Sequence, residues 1–385
     1  MKAVLFVTNG HGEMAIADRI AADLAQVLPS LRIEHLALVG HGRSTHMHDV
    51  GPSRVMPSGG LIAMGNVTNI VRDLRGGLVG LTLAQRKFLR ASQGRYARVI
   101  AVGDVFALLM ALAVRAPTTY VGTAKSVNVA PYGPFERGVL RRADPVFVRD
   151  VATADALRSG GVDARAPGNV MVDLYANDED TRADALVEGF VPALAVFPGS
   201  REHAYADAAF ILNVVRACAA AQPSLGAMLS LAPQLDVALF AKTFVEAGWN
   251  VDASADDRVP FILRAGGRTI ARAWRGTMGP LIARAQLVLG QAGTANEAAA
   301  AAGVPVVAFE RAHDRKTAWY RMRQRGLLGD ALLVTSGDVE SAARDVAALL
   351  ADAPRRVRMG TIGRERMGPA GGARAIANSI AEAVA

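Results

Sequence analysis

At 385 residues the chain is long enough for two domains of ordinary size and too long for a peptide hormone, a small binding module or a zinc ribbon. Apolar residues make up 51% and charged residues 20%, which suits a globular protein with a large core, and the single cysteine, Cys218, excludes a disulfide framework or a cysteine-based metal site within the chain. Lys and Arg number 43 against 35 Asp and Glu, a net charge of +8 that suits phosphates, nucleic acid or an anionic membrane surface without specifying a fold.

The first predicted strand, residues 3–8, follows Met1-Lys2 directly, so the N-terminus is expected to carry no signal peptide. Further strands are predicted at 33–39, 99–102, 118–121 and 146–148, with helices at 14–28, 67–90 and 151–158. This alternation is that of βαβ units on a parallel sheet. Asp150 can cap the last of these helices and Gly160-Gly161 stops it. The longest purely apolar run, 105–114, is about half of the roughly 20 residues that span a bilayer, so any membrane contact is expected to be peripheral. After the turn Ala166-Pro167-Gly168-Asn169, the polar stretch 175–182 reads as a linker. The alternation restarts with a strand at 193–197 and a helix at 203–221. Strands follow at 227–231, 258–264, 287–289, 304–309 and 331–334, and the chain closes with helices at 339–350 and 373–384. The expected division is 1–175, a linker at 176–190, a second α/β domain at 191–368 and a C-terminal helix at 369–385.

Three strand-to-helix junctions carry the residues that chemistry would need. In Asn9-Gly10-His11-Gly12-Glu13 the glycines Gly10 and Gly12 allow a ligand close to the backbone, and the following helix favours a negative or polar group. It is not a GxGxxG fingerprint, because a third glycine and an acidic residue at the end of the second strand are both missing. In Phe197-Pro198-Gly199-Ser200-Arg201-Glu202-His203, Gly199 and Ser200 offer backbone and hydroxyl donors, and Arg201 can fork onto a diphosphate. In Gly290-Gln291-Ala292-Gly293-Thr294-Ala295-Asn296-Glu297, the small residues leave room at a helix start. Glu297 either accepts from ribose hydroxyls or serves the helix dipole.

Pro198-Gly199-Ser200-Arg201 before a helix, then Ala292-Gly293-Thr294-Ala295-Asn296-Glu297 leading into Gly303-Val304-Pro305-Val306-Val307, resembles the donor half of lipid-A-disaccharide synthase. A family related to that synthase is similar to the chain nearly end to end. The residues that carry this are Asn9-Gly10-His11-Gly12-Glu13, Pro57-Ser58-Gly59-Gly60, Val102-Gly103-Asp104, Gly168-Asn169-Val170-Met171-Val172-Asp173, Arg366-Met367-Gly368 and Gly371-Gly372. The resemblance implies an α/β GT-B fold, two Rossmann-like domains facing across a cleft with C-terminal helices. It also implies an inverting hexosyltransferase that needs no metal and no cofactor beyond its UDP-sugar substrate. Two departures stand out. The first loop reads Gly10-His11-Gly12-Glu13-Met14-Ala15 where the synthase has Gly-Glu-x-Ser-Gly-Asp, and Asp104 is followed by Val105-Phe106-Ala107-Leu108 instead of an Ala-Pro-Asp-Phe context. An acylated glucosamine acceptor is therefore not implied.

The expected function is transfer from a nucleotide sugar to a lipid or other amphiphilic acceptor. Gly199, Ser200, Arg201, Gln291, Gly293, Thr294 and Glu297 would hold the donor. His11, Asp104 and Glu13 are the candidates for the base, and Gly10, Gly12, Ser58, Gly59 and Gly60 would lie on the acceptor side. The expected location is the cytoplasm, at the inner face of the membrane, with an anionic surface as a partner and nucleic acid as none. An epimerase or hydrolase on the same fold is the alternative, as is a non-catalytic basic protein that binds anionic lipid or nucleic acid. Asp178-Glu179-Asp180 reads as solvated linker charge, His41, His46 and His48 as a polar loop, and 311–325 as a basic helix beside the cleft. Apolar residues between Leu61 and Leu83, interspersed with Arg72, Arg75, Arg86, Lys87 and Arg90, suit either a long core helix or a face that dips into anionic headgroups.

Overall fold

The computed structural model describes residues 2–40, 44–54, 77–123, 125–175, 180–310 and 315–384, except for the side chains of His11 and residues 315–320. Residues 1–174 and 368–385 form one compact unit and residues 175–367 another.

The first unit runs β1 (Ala3–Thr8), α1 (His11–Val27), β2 (Arg32–Ala37), β3 (His48–Asp49), α2 (Leu78–Ala91), β4 (Arg98–Gly103), α3 (Val105–Ala111), β5 (Thr118–Gly122), α4 (Pro134–Leu140), β6 (Val146–Phe147), α5 (Val151–Ser159), β7 (Ala164–Arg165) and α6 (Val170–Asp173). All neighbouring strands pair in parallel, in the order β3-β2-β1-β4-β5-β6-β7. Helices cover both faces, so β1 is buried at every residue and reads as a continuous apolar run rather than an alternating one. Of the helix expected at 67–90, residues 78–91 are helical, while 55–76 lie outside the described residues. Gln85 is buried on α2 because its amide donates to the carbonyls of Ala37 and Leu38 at the end of β2 and of Pro52 after β3.

The second unit runs α7 (Asp184–Val187), β8 (Ala193–Phe197), α8 (Ala204–Ala221), β9 (Gly226–Ser230), α9 (Val237–Glu246), β10 (Asn250–Ala253), β11 (Phe261–Ala265), β12 (Arg268–Trp274), α10 (Gly279–Arg284), β13 (Leu287–Gly290), α11 (Thr294–Ala301), β14 (Val306–Glu310), α12 (Arg315–Leu328), β15 (Leu332–Ser336), α13 (Val339–Ala351) and α14 (Ala353–Met367). Its sheet has the order β10-β11-β12-β9-β8-β13-β14-β15, parallel from β12 to β15 and antiparallel at the β10–β11–β12 edge. A two-residue turn at Gly266-Gly267, both with positive φ, closes the hairpin between β11 and β12. The single strand expected at 258–264 is thus a later strand, with Pro260 just before it and a hairpin partner after it. Helix α8 is long and apolar enough to cross a bilayer by length and hydropathy, yet half of it is buried in this unit's core.

Of the linker expected at 176–190, residues 176–179 lie outside the described residues. The remainder folds into the second unit as a 3₁₀ turn at Thr181–Ala183 and then α7, with Ala183 and Leu186 fully buried. Asp180 is not a free acidic side chain: it caps this turn at Arg182 N–H and pairs with the Arg182 guanidinium. The chain returns to the first unit for α15 (Gly372–Val384), whose Ile376, Ala377 and Ile380 join the core formed by Ile16, Ile20 and Leu24 of α1. The buried Asp173 carboxylate receives its first turn, accepting from the N–H groups of Gly371 at 2.5 Å and Ala373 at 2.7 Å.

Candidate functional site

In a doubly wound sheet, ligands bind beyond the carboxyl ends of the strands where successive connections depart to opposite sides. In the first unit that point lies between β1 and β4, since β2 flanks β1 on its other side. In the second it lies between β8 and β13, with β9 on the far side of β8. The short loop after β1 is Asn9-Gly10, and α1 already begins at His11 rather than at 14, so His11, Gly12 and Glu13 form its first turn, while Asp104 follows the end of β4 at Gly103. Likewise β8 leads into Gly199, Ser200 and Arg201, and β13 into Gln291, Gly293 and Thr294. Within each unit, segments distant in sequence come to one crevice.

At the first crevice, Glu13 in the opening turn of α1 folds back over the strand ends. A Cβ placed on Gly10 would lie 3.2 Å from Glu13 Oε2, and one placed on Gly103 would lie 3.2 Å from Glu13 Cγ and 2.8 Å from Asn9 Oδ1. That oxygen of Asn9 is buried with no hydrogen-bond partner among the described residues. Asp104 caps α3, its Oδ1 accepting from Phe106 N–H at 2.8 Å and Ala107 N–H at 3.2 Å, so any proton acceptance there falls to Oδ2. The Gly103 carbonyl is held from beneath by the Tyr120 hydroxyl at 2.7 Å, which sits 3.4 Å from that of Tyr132. Burial pushes both phenols up, Tyr132 to about 12 and Tyr120 well above its ordinary value, so they remain neutral donors. Across β1, β2 and β3, Thr8 Oγ1 lies 2.9 Å from His35 Nε2, and His35 Nδ1 lies 2.7 Å from Asp49. Burial lowers the His35 pKa, with Asp49 and then Asp18 opposing it. Gly12 is exposed, and a Cβ there would meet nothing within 4 Å. Ser58, Gly59 and Gly60 lie outside the described residues, as does the side chain of His11.

The second crevice is more closely built. The two loops are joined at the Phe197 carbonyl, which accepts from Gln291 N–H at 3.0 Å and Ala292 N–H at 3.2 Å. Gly199, at φ +116, has open space where a Cβ would sit, and Ser200 and Arg201 are exposed. Gln234 fixes the first loop by donating to the Ser200 carbonyl at 2.8 Å. Gly293 and Thr294 are exposed at the start of α11, and Glu297 is half-buried in its first turn. The Gln291 side chain turns away to bracket the Phe309 backbone, donating to its carbonyl at 3.2 Å and accepting from its N–H at 3.4 Å. It braces the loop and does not extend into the crevice.

Sequence reasoning missed the residues behind this loop. Asn296, Arg321 and Gln324 are all buried, and they form one polar network with the carbonyls of Gly290, Ala292 and Gly293. The signals available were a polar Asn in an Ala-rich helix and a Gln in a basic one, and neither names its partner. Of the histidines 41, 46 and 48, the first lies outside the described residues, His46 faces Asp18 at 3.3 Å and His48 is exposed on β3. Among the described residues, no three metal-ligating side chains gather.

No protein-family model and no curated protein sequence matches the chain. Solved structures do. A putative UDP-N-acetylglucosamine 2-epimerase from Listeria monocytogenes is 13% identical with a TM-score of 0.62, over 100% of this chain and 96% of that one. The UDP-GlcNAc 2-epimerase from Neisseria meningitidis bound to UDP-GlcNAc is 13% identical with a TM-score of 0.57, over 99% of each chain. CalG4, the calicheamicin glycosyltransferase, is 15% identical with a TM-score of 0.58, over 100% of this chain and 98% of that one. These likenesses show that the chain has the GT-B fold of two Rossmann-like domains. They carry the fold and not the narrower resemblance to lipid-A-disaccharide synthase.

Proposed function

We propose that the protein is a glycosyltransferase that moves a sugar from a UDP-linked donor to a lipid or other amphiphilic acceptor, with inversion and without a metal or added cofactor. The observation that carries this reading is the second crevice. Two strand-to-helix junctions are joined there at the Phe197 carbonyl, with Ser200 and Arg201 exposed on one and Gly293 and Thr294, at the start of α11, exposed on the other. Such a set suits the diphosphate of a nucleotide sugar, because positive charge and oriented N–H groups meet the negative charge that grows on the leaving group. At the first crevice Glu13, Asp104 through Oδ2, and His11 are the candidates to take the acceptor hydroxyl proton.

An amphiphilic acceptor is supported by α2, which exposes Val79 and Leu83 on a helix that also exposes Arg86, Lys87 and Arg90. Apolar side chains beside guanidinium and ammonium groups suit the boundary of an anionic lipid layer, which would place the protein at the inner face of a membrane. Epimerisation of the nucleotide sugar is the second reading, favoured by the fold likeness to two UDP-GlcNAc 2-epimerases.

Product analysis separates the two. Incubated with UDP-GlcNAc alone, a transferase leaves the sugar unchanged, and it releases UDP when a detergent-dispersed lipid extract is added. Interconversion of the sugar at C2 without any acceptor would replace transfer by epimerisation.

A further inference from the structure

The loop between β13 and α11 is unusual in what happens to its carbonyls. The Gly290 carbonyl accepts from Asn296 Nδ2 at 3.1 Å. The Ala292 carbonyl accepts from Gln324 Nε2 at 2.8 Å, and the Gly293 carbonyl lies 3.4 Å from the same nitrogen. All three oxygens are thereby drawn toward buried side chains. Gln324 is itself fixed: its Oε1 accepts from Arg321 at 3.2 Å and from Asn296 Nδ2 at 3.4 Å, and the Arg321 Nε donates to the Phe309 carbonyl at 3.2 Å. Asn296, Arg321 and Gln324 are 0%, 3% and 8% exposed, so the network is interior structure rather than a solvated face.

A helix start offers N–H groups, but the peptide units just before it can turn either edge toward a ligand. A carbonyl facing a diphosphate would oppose it, and the same peptide plane turned over presents N–H instead. The Gly293 carbonyl is also held by the helix itself, accepting from Glu297 N–H at 3.2 Å, whereas the Ala292 carbonyl, one peptide earlier, is held by a side chain anchored elsewhere, Gln324 of α12.

We infer that Gln324, supported by Asn296 and Arg321, is a positioning residue for the anionic part of the ligand: it holds the Ala292 carbonyl inward, next to the Gly293 carbonyl that α11 itself holds, so that the N–H edge of the loop faces the phosphates. The inference rests on the nucleotide-sugar reading of this crevice. It adds a selective consequence, because loss of Gln324 weakens recognition of the phosphates and leaves recognition of the nucleoside as it was. A residue that merely stabilised the fold would weaken both together.

The test is calorimetric titration of wild type, Gln324→Met and Gln324→Glu with UDP and, separately, with uridine. Methionine keeps the length and volume of the side chain without its hydrogen bonds. Glutamate keeps the acceptor for Arg321 and Asn296 and lacks the N–H donors, so it decides the matter if the methionine variant does not fold. The expected result is a loss of UDP affinity of at least tenfold, about 1.4 kcal/mol, with uridine affinity unchanged. Unchanged UDP affinity in a folded variant, or equal losses for UDP and uridine, would overturn the inference while leaving the nucleotide-sugar reading in place. A wild-type protein that binds no UDP would overturn both.

Discussion

Replacing Gly290 by alanine is the sharpest structural test of how the second crevice is built. The backbone at Gly290 is not in the left-handed region, so alanine is not excluded by conformation. Space excludes it: the new Cβ would overlap Asn296 Oδ1 and stand 2.9 Å from Asn296 Cγ and 3.2 Å from Nδ2. Asn296 cannot move into solvent because it is fully buried, and moving it breaks its bonds to the Gly290 carbonyl and to Gln324. Overpacking of this kind costs about 1–3 kcal/mol, and a buried amide left without partners about 1–3 kcal/mol more. A central figure of about 4 kcal/mol corresponds to a melting temperature lower by roughly 8–16 °C, at about 2–4 °C per kcal/mol for a unit of this size. The assay is calorimetric melting of wild type, Gly290→Ala, Asn296→Ala and the double variant. Because removing Asn296 frees the space the methyl needs, the double variant should be more stable than the sum of the two losses by about 1–2 kcal/mol. A Gly290→Ala protein that melts within 2 °C of wild type, or strictly additive losses, would refute the reasoning.

Other outcomes follow from the same geometry. Arg201→Ala should lose about 1.5–3 kcal/mol of UDP affinity, the worth of charge-assisted hydrogen bonds, without a change in melting because the side chain is exposed; calorimetry showing undiminished affinity would remove Arg201 from the site. Turnover should survive EDTA, since Arg201 and the helix starts supply the positive charge, whereas loss restored by Mg²⁺ or Mn²⁺ would contradict a metal-free mechanism. Burial holds the His35 imidazole below its ordinary pKa, so the unfolded chain takes up its proton first. Stability from this residue is therefore complete above about pH 6.5 and declines as the pH falls below it, by at most about 1.4 kcal/mol per unit. His35→Gln should flatten that decline between pH 7 and 5, and an unchanged slope would show that another group causes it. Val79→Ser with Leu83→Ser should reduce flotation with vesicles rich in acidic lipid at low salt; equal binding by this folded variant would detach α2 from the acceptor reading.

The parallel core was legible because its strands are short apolar runs between amphipathic helices. The strand expected at 193–197 coincides with β8, and Gly, Asp and Arg at strand ends mark the junctions after β1, β4, β8 and β13. The two-residue strands β3 and β7 leave no such trace, since His48-Asp49 and Ala164-Arg165 lack the β-branched and aromatic pair that marks the equally short β6 at Val146-Phe147. The β10–β12 edge differs from the single strand expected at 258–264 because one strand of a hairpin, bounded by Pro260 and Gly266-Gly267, has the same local composition as a lone strand. Tertiary packing decided the rest. α15 returns to the first unit through Asp173, nearly 200 positions upstream, and Gln324 reaches Ala292 across 32 positions. Neither pairing obeys a local rule, so no window of sequence contains it.

The most direct test of the central claim is the melting temperature of the protein with UDP, set against uridine and inorganic phosphate. Ligand at 100 times its dissociation constant adds about 2.7 kcal/mol to the state that binds it. UDP should raise the melting temperature of wild type by several degrees, and Arg201→Ala should lose most of this rise. A wild-type protein whose melting temperature is the same with and without millimolar UDP would contradict it.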